Sequence, residues 1–362
     1  MLGSRIQCAL ALVLASIATS GVQAWPHGQS QCKQLATRKE WGSLTSGERI
    51  AYIDAVKCMQ QKPSNFAPGV VPGAKSRFDD FSAVHINQTT GIHLDGVFLS
   101  WHRNFLQLWE TALREECGYP GYQPYWNWPL WDDDLAASPL FDGSETSLGG
   151  DGYYDGSFTE YIVGTNSDGS LQTLPRGTGG GCMKDGPFVN MTINMGPFAF
   201  GLVYTGLPSN WTDYAPHCVQ RDLNNAVAAK TNQTYVDAAL ATATINDFQN
   251  ALSASGTTLG LHGAGHFCTG AGMQDFFASP SDPAFFLHHG QVDRIWQMWQ
   301  SLDEGARTYG NNALFGTSTI FDANNTAPVS LDEEMNWGIL GKPRKIAEMM
   351  QVGLHGFCYE YQ

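Results

Sequence analysis

The chain holds ten histidines, and six of them fall into two trios: His85, His93 and His102 in the first third, His262, His266 and His289 in the last. In LHGAGHFC, His262 and His266 stand four apart, so on a helix both imidazoles leave one face and can share a metal ion. His289 lies in DPAFFLHHGQVDRIWQMW, which reads as a second helix. The run FDDFSAVHINQTTGIHLDGVFLSWHRNFLQLWE puts His85 near a helix end, His93 in a polar turn and His102 inside an amphipathic helix. A single helical histidine is ordinarily a hydrogen-bonded structural residue. Two trios on separate helices suit instead a bundle that brings two metals face to face.

Imidazole without thiolate or carboxylate suits Zn, Cu, Fe or Ni, and copper heads the affinity order. Zinc proteases with paired helical histidines carry a glutamate directly after the first one as general base. Here that position is Gly263, and no Asp or Glu occurs between Asp247 and Asp275, so a hydrolytic mechanism lacks its base. His288 and His289 are neighbours and point about 100° apart on a helix, so only one of them can ligate. GLHGAG lacks the Lys-Ser or Lys-Thr of a phosphate loop, and no Ser sits in a G-x-S-x-G elbow.

H-x7-H-x8-H with FLSWHRNFLQLWE, and HGAGH followed by SPSDPAFFLHHGQVDRIW, resemble the CuA and CuB regions of the type-3 copper proteins: tyrosinases, catechol oxidases and haemocyanins. Arg38 in TRKEW and Tyr359-Glu360-Tyr361 resemble the arginine and the tyrosine-x-tyrosine pair that bracket the family's core domain. The resemblance implies a mainly α fold, a four-helix bundle holding a dinuclear copper site, with long irregular loops. It implies two copper ions, CuA on His85, His93 and His102 and CuB on His262, His266 and His289, with O2 as co-substrate and a small phenol as partner. Of the two neighbours, the family pattern selects His289 and leaves His288 beside the metal. Asp293, one turn beyond His289, either orients a ligand ring or forms a buried salt bridge with Arg294 or another cation. Phe276, at 289 − 13, stands where plant catechol oxidases carry a gate phenylalanine over CuA, with Phe277 leaving the register open. Phe285 is expected beneath the substrate ring. No cysteine lies between Cys58 and Cys117, so the Cys–His thioether of some relatives should be absent near His93.

The activity implied is oxidation of o-diphenols to o-quinones. Relatives with strong monophenolase activity carry an Asn directly after the first CuB ligand and a nearby Glu, which together hold a water that deprotonates the phenol. Gly263 and the segment FQNALSASGTTLGL, with Gln249 and no carboxylate, favour a diphenol oxidase over a tyrosinase. Three alternatives stay open: a tyrosinase with full monophenolase activity, a tailoring oxidase for o-aminophenols, pigment precursors or peptide tyrosine, and an oxygen carrier. Carriers and many relatives append a domain that covers the copper pocket. With nothing after Gln362, the chain resembles the short fungal catechol oxidases and is expected to be active without proteolytic activation.

A formal net charge of −14 disfavours nucleic acid and anionic membranes as partners. Arg5, an apolar run from Cys8 to Ile17, and Val22-Gln23-Ala24 read as a secretory signal peptide over 1–24, leaving 25–362 as a single copper domain that is secreted. The apolar run is too short to anchor in a bilayer. Sequons at Asn87, Asn190, Asn210, Asn232 and Asn324 fit a secretory route. Beyond residue 24 the cysteines are Cys32, Cys58, Cys117, Cys182, Cys218, Cys268 and Cys358, which predicts two or three disulfides and one thiol left over. Helices are predicted over Thr45–Gln61, Val97–Cys117, Thr234–Leu252 and Ala284–Leu302, and long loops over Gly143–Gly186.

Overall fold

The computed structural model describes residues 31–362 apart from 166–167, 200–201, 203, 208, 256–257 and 323–326. The leader read at 1–24 and the sequon at Asn324 lie outside the described residues. Among them the α-helices are α1 (Ser46–Gln61), α2 (Arg77–Gln88), α3 (Phe98–Cys117), α4 (Asn225–Ala228), α5 (Gln233–Leu240), α6 (Ile245–Leu252), α7 (Leu261–Thr269) and α8 (Ala284–Ser301). The histidines sit on α2, α3, α7 and α8 and in the turn between α2 and α3, so the structure is mainly helical, as expected.

Local chemistry starts most of these helices, α7 with Gly260 at its head being the exception. Thr45 and Glu48 close a capping box on α1, and Ser76 and Asp79 close another on α2. α3 has no capping side chain at Val97; Asp95 Oδ1 accepts from the N–H groups of Val97 and Phe98 at 3.0 and 2.9 Å instead. Gly118 ends α3 at φ +68, a left-handed position that glycine occupies without steric cost. Asp282 Oδ1 accepts from Ala284 N at 2.9 Å at the head of α8.

Aromatic side chains join these helices. Trp109 of α3 stacks on Phe286 of α8 with centroids 3.9 Å apart, and Phe81 of α2 meets Trp109 edge-on at 5.0 Å. Such pairs add roughly 0.5–1.5 kcal/mol beyond the area they bury. Phe81, Phe105, Trp109 and Phe286 are fully buried, so the floor beneath the histidines is a rigid apolar block.

The stretch Thr234–Leu252, expected as one helix, is two. Asn232 caps α5 by accepting from Thr234 and Tyr235, and Thr244 caps α6 by accepting from Asp247 N at 3.1 Å. Thr242 turns its hydroxyl back onto Ala239 O at 2.7 Å. These short hydroxyl side chains compete for the backbone groups a continuous helix would use.

The Gly143–Gly186 stretch does form extended loops, stiffened by short antiparallel ribbons that pair Gly152–Tyr154 with Gly180–Met183 and Glu160–Thr165 with Leu171–Pro175. Buried charge pins them to the helical core. Arg221 pairs with both carboxylate oxygens of Asp282 at 2.8 and 2.7 Å, and Tyr161 donates to Asp222 at 2.7 Å. Near the two ends of the described chain, the strand Ala36–Arg38 lies parallel to Tyr359–Tyr361. Disulfides link Cys32 to Cys358, Cys58 to Cys117 and Cys182 to Cys218, leaving Cys268 as the free, buried thiol among the described residues. No helix there is long and apolar enough to cross a membrane.

Candidate metal centre

The first trio assembles from three consecutive pieces of chain. His85 comes from the last turn of α2, His93 from the turn after it and His102 from the second turn of α3. Their rings lie close together: His85 to His93 at 4.9 Å, His93 to His102 at 4.9 Å and His85 to His102 at 5.7 Å between centroids. The turn that carries His93 holds Leu94 at φ +53, a conformation unfavourable for a residue with a Cβ and therefore maintained by its surroundings. The second set comes from α7 and α8, where ring nitrogens of His262, His266, His288 and His289 lie within 4.8 Å of one another. The two sets face each other, with His102 stacked on His289 at 4.5 Å and 14°.

Backbone carbonyls orient the rings. His85 Nδ1 meets Phe277 O at 2.7 Å, His93 Nδ1 meets Thr89 O at 3.0 Å, His102 Nδ1 meets Phe98 O at 2.8 Å and His266 Nδ1 meets Met273 O at 2.8 Å. A carbonyl can only accept, so each of these nitrogens carries the proton and the lone pair is left on Nε2. The Nε2 atoms of His85, His102 and His289 are buried without a hydrogen-bond partner. His262 and His266 bring their Nε2 atoms within 3.0 Å. Orphaned and opposed lone pairs at this density match a cation that accepts them, and the all-imidazole donor set fits copper.

Burial holds every ring neutral, which ligation requires. Desolvation pushes His93 down to about 3 and His266 to about 4, and holds His85, His102, His262, His288 and His289 well below the ordinary imidazole value.

His288 and His289 part as helix geometry requires. The His289 ring turns toward the first trio, whereas His288 lies between His262, stacked at 5.4 Å, and the indole of Trp128 at 5.2 Å. Gly265 makes room for it: a Cβ there would come within 2.3 Å of the His288 ring.

The remaining residues singled out in the sequence fall on different sides of the centre. Gly263 and Phe276 line a cavity of about 490 Å³ that opens onto His93, His262 and His266. The Phe276 ring lies 4.8 Å from that of His93, whereas Phe277 is fully buried and turns its carbonyl to His85. Phe285 is not in the cavity wall. It is fully buried behind the imidazoles, 4.1 Å from His289 and 5.4 Å from His85 between centroids.

Asp293 reaches neither a ligand ring nor Arg294. Its Oδ1 accepts from Arg103 at 2.6 Å, its Oδ2 from the hydroxyls of Tyr359 and Tyr361 at 2.6 and 2.7 Å, and Arg38 lies 3.7 Å away. Arg294 instead sits over the Tyr125 ring at 5.0 Å.

The carbonyl partners of the histidines escaped sequence reasoning, because a carbonyl has no residue identity to recognise. So did Asp95, Asn246 and Asn250, which line the cavity, and Tyr204 and Phe321, whose exposed rings stack at 5.4 Å on its open side. Asn246 and Asn250 had a legible signal, their i, i+4 spacing opposite an apolar face.

Comparison with known proteins agrees with the geometry. Residues 75–302 match the family model described as the common central domain of tyrosinase. The chain is 47% identical to tyrosinase P of Aspergillus terreus over 91% of this chain and 93% of that protein. It is 41% identical to the N-acetyl-6-hydroxytryptophan oxidase ivoB of Emericella nidulans over 92% and 94% of the two chains. A polyphenol oxidase from Thermothelomyces thermophila superposes with a TM-score of 0.83 at 38% identity, covering 91% of this chain and 89% of that one. With its two facing sets of imidazoles suited to a copper pair, the chain belongs to the tyrosinase family of type-3 copper oxidoreductases.

Proposed function

We propose that the protein is an o-diphenol oxidase, a catechol oxidase, whose copper pair is held by His85, His93 and His102 on one side and His262, His266 and His289 on the other. The chemistry such a pair supplies is oxidation of catechols coupled to O2 reduction: two catechols and one O2 give two o-quinones and two waters. The chain's own residues hold six imidazoles neutral by burial, four of them also by carbonyl hydrogen bonds, and Phe276 shapes the approach of a ring toward His93. His288 is a packing neighbour, and its stacking on His262 supports that role.

The preference for diphenols rests on one observation: among the described residues, nothing beside Gly263 offers a free base. The cavity's two carboxylates are engaged with the backbone. Asp95 accepts from Val97 and Phe98, and Asp275 from Phe198, Phe277 and Ala278. Burial raises the Asp275 carboxyl, but both of its oxygens already accept from backbone N–H groups, which leaves them little capacity to take a proton from a phenol.

Residues 25–362 are read as one copper domain, and three disulfides among the described residues support assembly in an oxidising, secretory compartment. The cavity's volume supports a second reading, a tailoring oxidase for a larger phenol, and the relative named for an N-acetylated hydroxytryptophan is of that kind.

The test is O2 uptake by copper-loaded protein with 4-methylcatechol and with 4-methylphenol. Rapid uptake with the catechol alone is expected. Gly263→Asn should raise the phenol-to-catechol ratio about tenfold, less than the roughly 10²–10⁴-fold that a positioned general base contributes, because the carboxamide would hold a water rather than act as the base itself. The added side chain meets chiefly the movable end of Leu259, 2.7 Å from the new Cβ. Equal wild-type rates on the two substrates would overturn the diphenol reading.

A further inference from the structure

α6 carries a pattern that the copper chemistry does not use. Its apolar residues Ile245, Phe248 and Leu252 are buried in the core. On the other side, Asn246, Gln249, Asn250 and Ser253 follow at i, i+3, i+4 and i+7, one stripe of a helix, and all four line the cavity above His93, His262 and His266. An ordinary solvent-facing stripe would mix in charges, but the charged residue of this helix, Asp247, is exposed and absent from the cavity wall. The stripe is also held in place: Asn250 donates to Asn246 at 3.4 Å, and Gln249 donates to the carbonyl of Asp95 at 3.2 Å. Gln274, from the segment after α7, adds another carboxamide to the wall.

Volume and charge point the same way. The cavity, about 490 Å³, lies in the roughly 300–1,000 Å³ range of pockets that enclose drug-sized ligands, and a single catechol ring on the copper side leaves most of it unfilled. Among the described residues no Lys or Arg lines it, so a carboxylate substituent would enter without a counter-ion. A carboxamide both donates and accepts, and its natural complement is another amide, which does the same.

We propose that the α6 stripe is a second subsite that recognises an uncharged, amide-bearing substituent on the phenol, so that the preferred substrates are N-acylated aryl-ethylamines and similar phenols rather than phenolic acids. The inference rests on the proposed phenol-oxidising role of the adjacent copper site and specifies which phenols reach it.

Binding tests it apart from turnover. Dissociation constants are measured by calorimetry, without O2, on the copper-loaded full chain with N-acetyltyramine, 4-ethylphenol and 3-(4-hydroxyphenyl)propionate. The amide should bind roughly five- to tenfold more tightly than 4-ethylphenol, the gain of one or two neutral hydrogen bonds, and the propionate no better than 4-ethylphenol. In Asn246→Ala/Asn250→Ala, checked to hold two coppers per chain, the amide's advantage should disappear. Equal binding of amide and 4-ethylphenol by the wild type, tighter binding of the propionate, or an advantage retained in the double variant would overturn the subsite. Absence of O2 uptake with 4-methylcatechol would sink the oxidase reading instead, leaving the binding series to be judged by itself.

Discussion

At the scale of single residues, the centre separates groups suited to hold the metals from groups that keep the surrounding fold neutral. Asp293 belongs to the second kind. It joins Arg103, Tyr359 and Tyr361 in the buried interior, and Arg38 couples this cluster to Glu110 at 2.9 Å. Two guanidinium groups meet two carboxylates, so the cluster is balanced, and losing one member strands a buried charge. Asp293→Ala should therefore cost about 3–5 kcal/mol in denaturant unfolding. A cost below about 1 kcal/mol would show that Arg103, which also donates to Met350 O at 2.9 Å, is satisfied without its carboxylate. The sequence placed this aspartate one turn past a ligand but could not reveal its partners, which lie 190, 66 and 68 residues away along the chain. The grouping of the histidines was legible because residues able to hold a metal are restricted in type and spacing together. Their carbonyl partners were not.

At the scale of elements, the close approach of α7 to α8 decides whether the second trio can form. Gly265 sits where α7 passes the His288 ring, with His288 stacked in turn on His262. In an unconstrained helix Gly→Ala would stabilise by up to about 1 kcal/mol. Here the new methyl would overlap an imidazole, and overpacking of that kind costs roughly 1–3 kcal/mol. Gly265→Ala is expected to lower the melting temperature and reduce bound copper from two per chain toward one. Full copper content with an unchanged melting temperature would mean that the helices part without disturbing His262. Helix boundaries were readable wherever a capping residue announced them, as at Thr45. The single helix expected over Thr234–Leu252 failed because Asn232 and Thr244 each begin a helix of their own, and the carboxamide stripe emerges only once α6 has its own boundaries.

At the scale of the whole molecule, burying six neutral imidazoles ties folding to both pH and metal. Their folded-state values lie below the roughly 6.5 of an exposed histidine, with His266 at about 4 and His93 at about 3. Below pH ~6.5 the unfolded chain binds more protons than the folded one. Stability that is fully present above that pH is therefore lost progressively as pH falls toward those values. Asp79, Asp80 and Asp275 are shifted upward by burial and act with the opposite sign, but they do so with or without metal. Copper competes with protons for the same nitrogens. With the folded-state rings unprotonated across pH 7.5–5 in either form, the melting temperature should fall over that range by a similar amount with and without copper, the copper-loaded protein staying the more stable throughout. A melting temperature of metal-free protein that does not fall over that range would mean that the buried histidines do not couple folding to pH.

The free thiol bears on how long such an enzyme lasts. An o-quinone is an electrophile, and the thiolate is the reactive form of cysteine. Six cysteines are committed to disulfides, and Cys268 is fully buried, its thiol pushed up by desolvation and turned toward the carbonyl of Gly265 at 3.3 Å. Under the proposed catechol oxidation, the fold thus withholds from the quinone product the nucleophile that would attack it most readily. After prolonged turnover with a catechol, intact-mass and peptide analysis should find Cys268 unmodified, so that inactivation, when it comes, has to begin elsewhere than at this thiol.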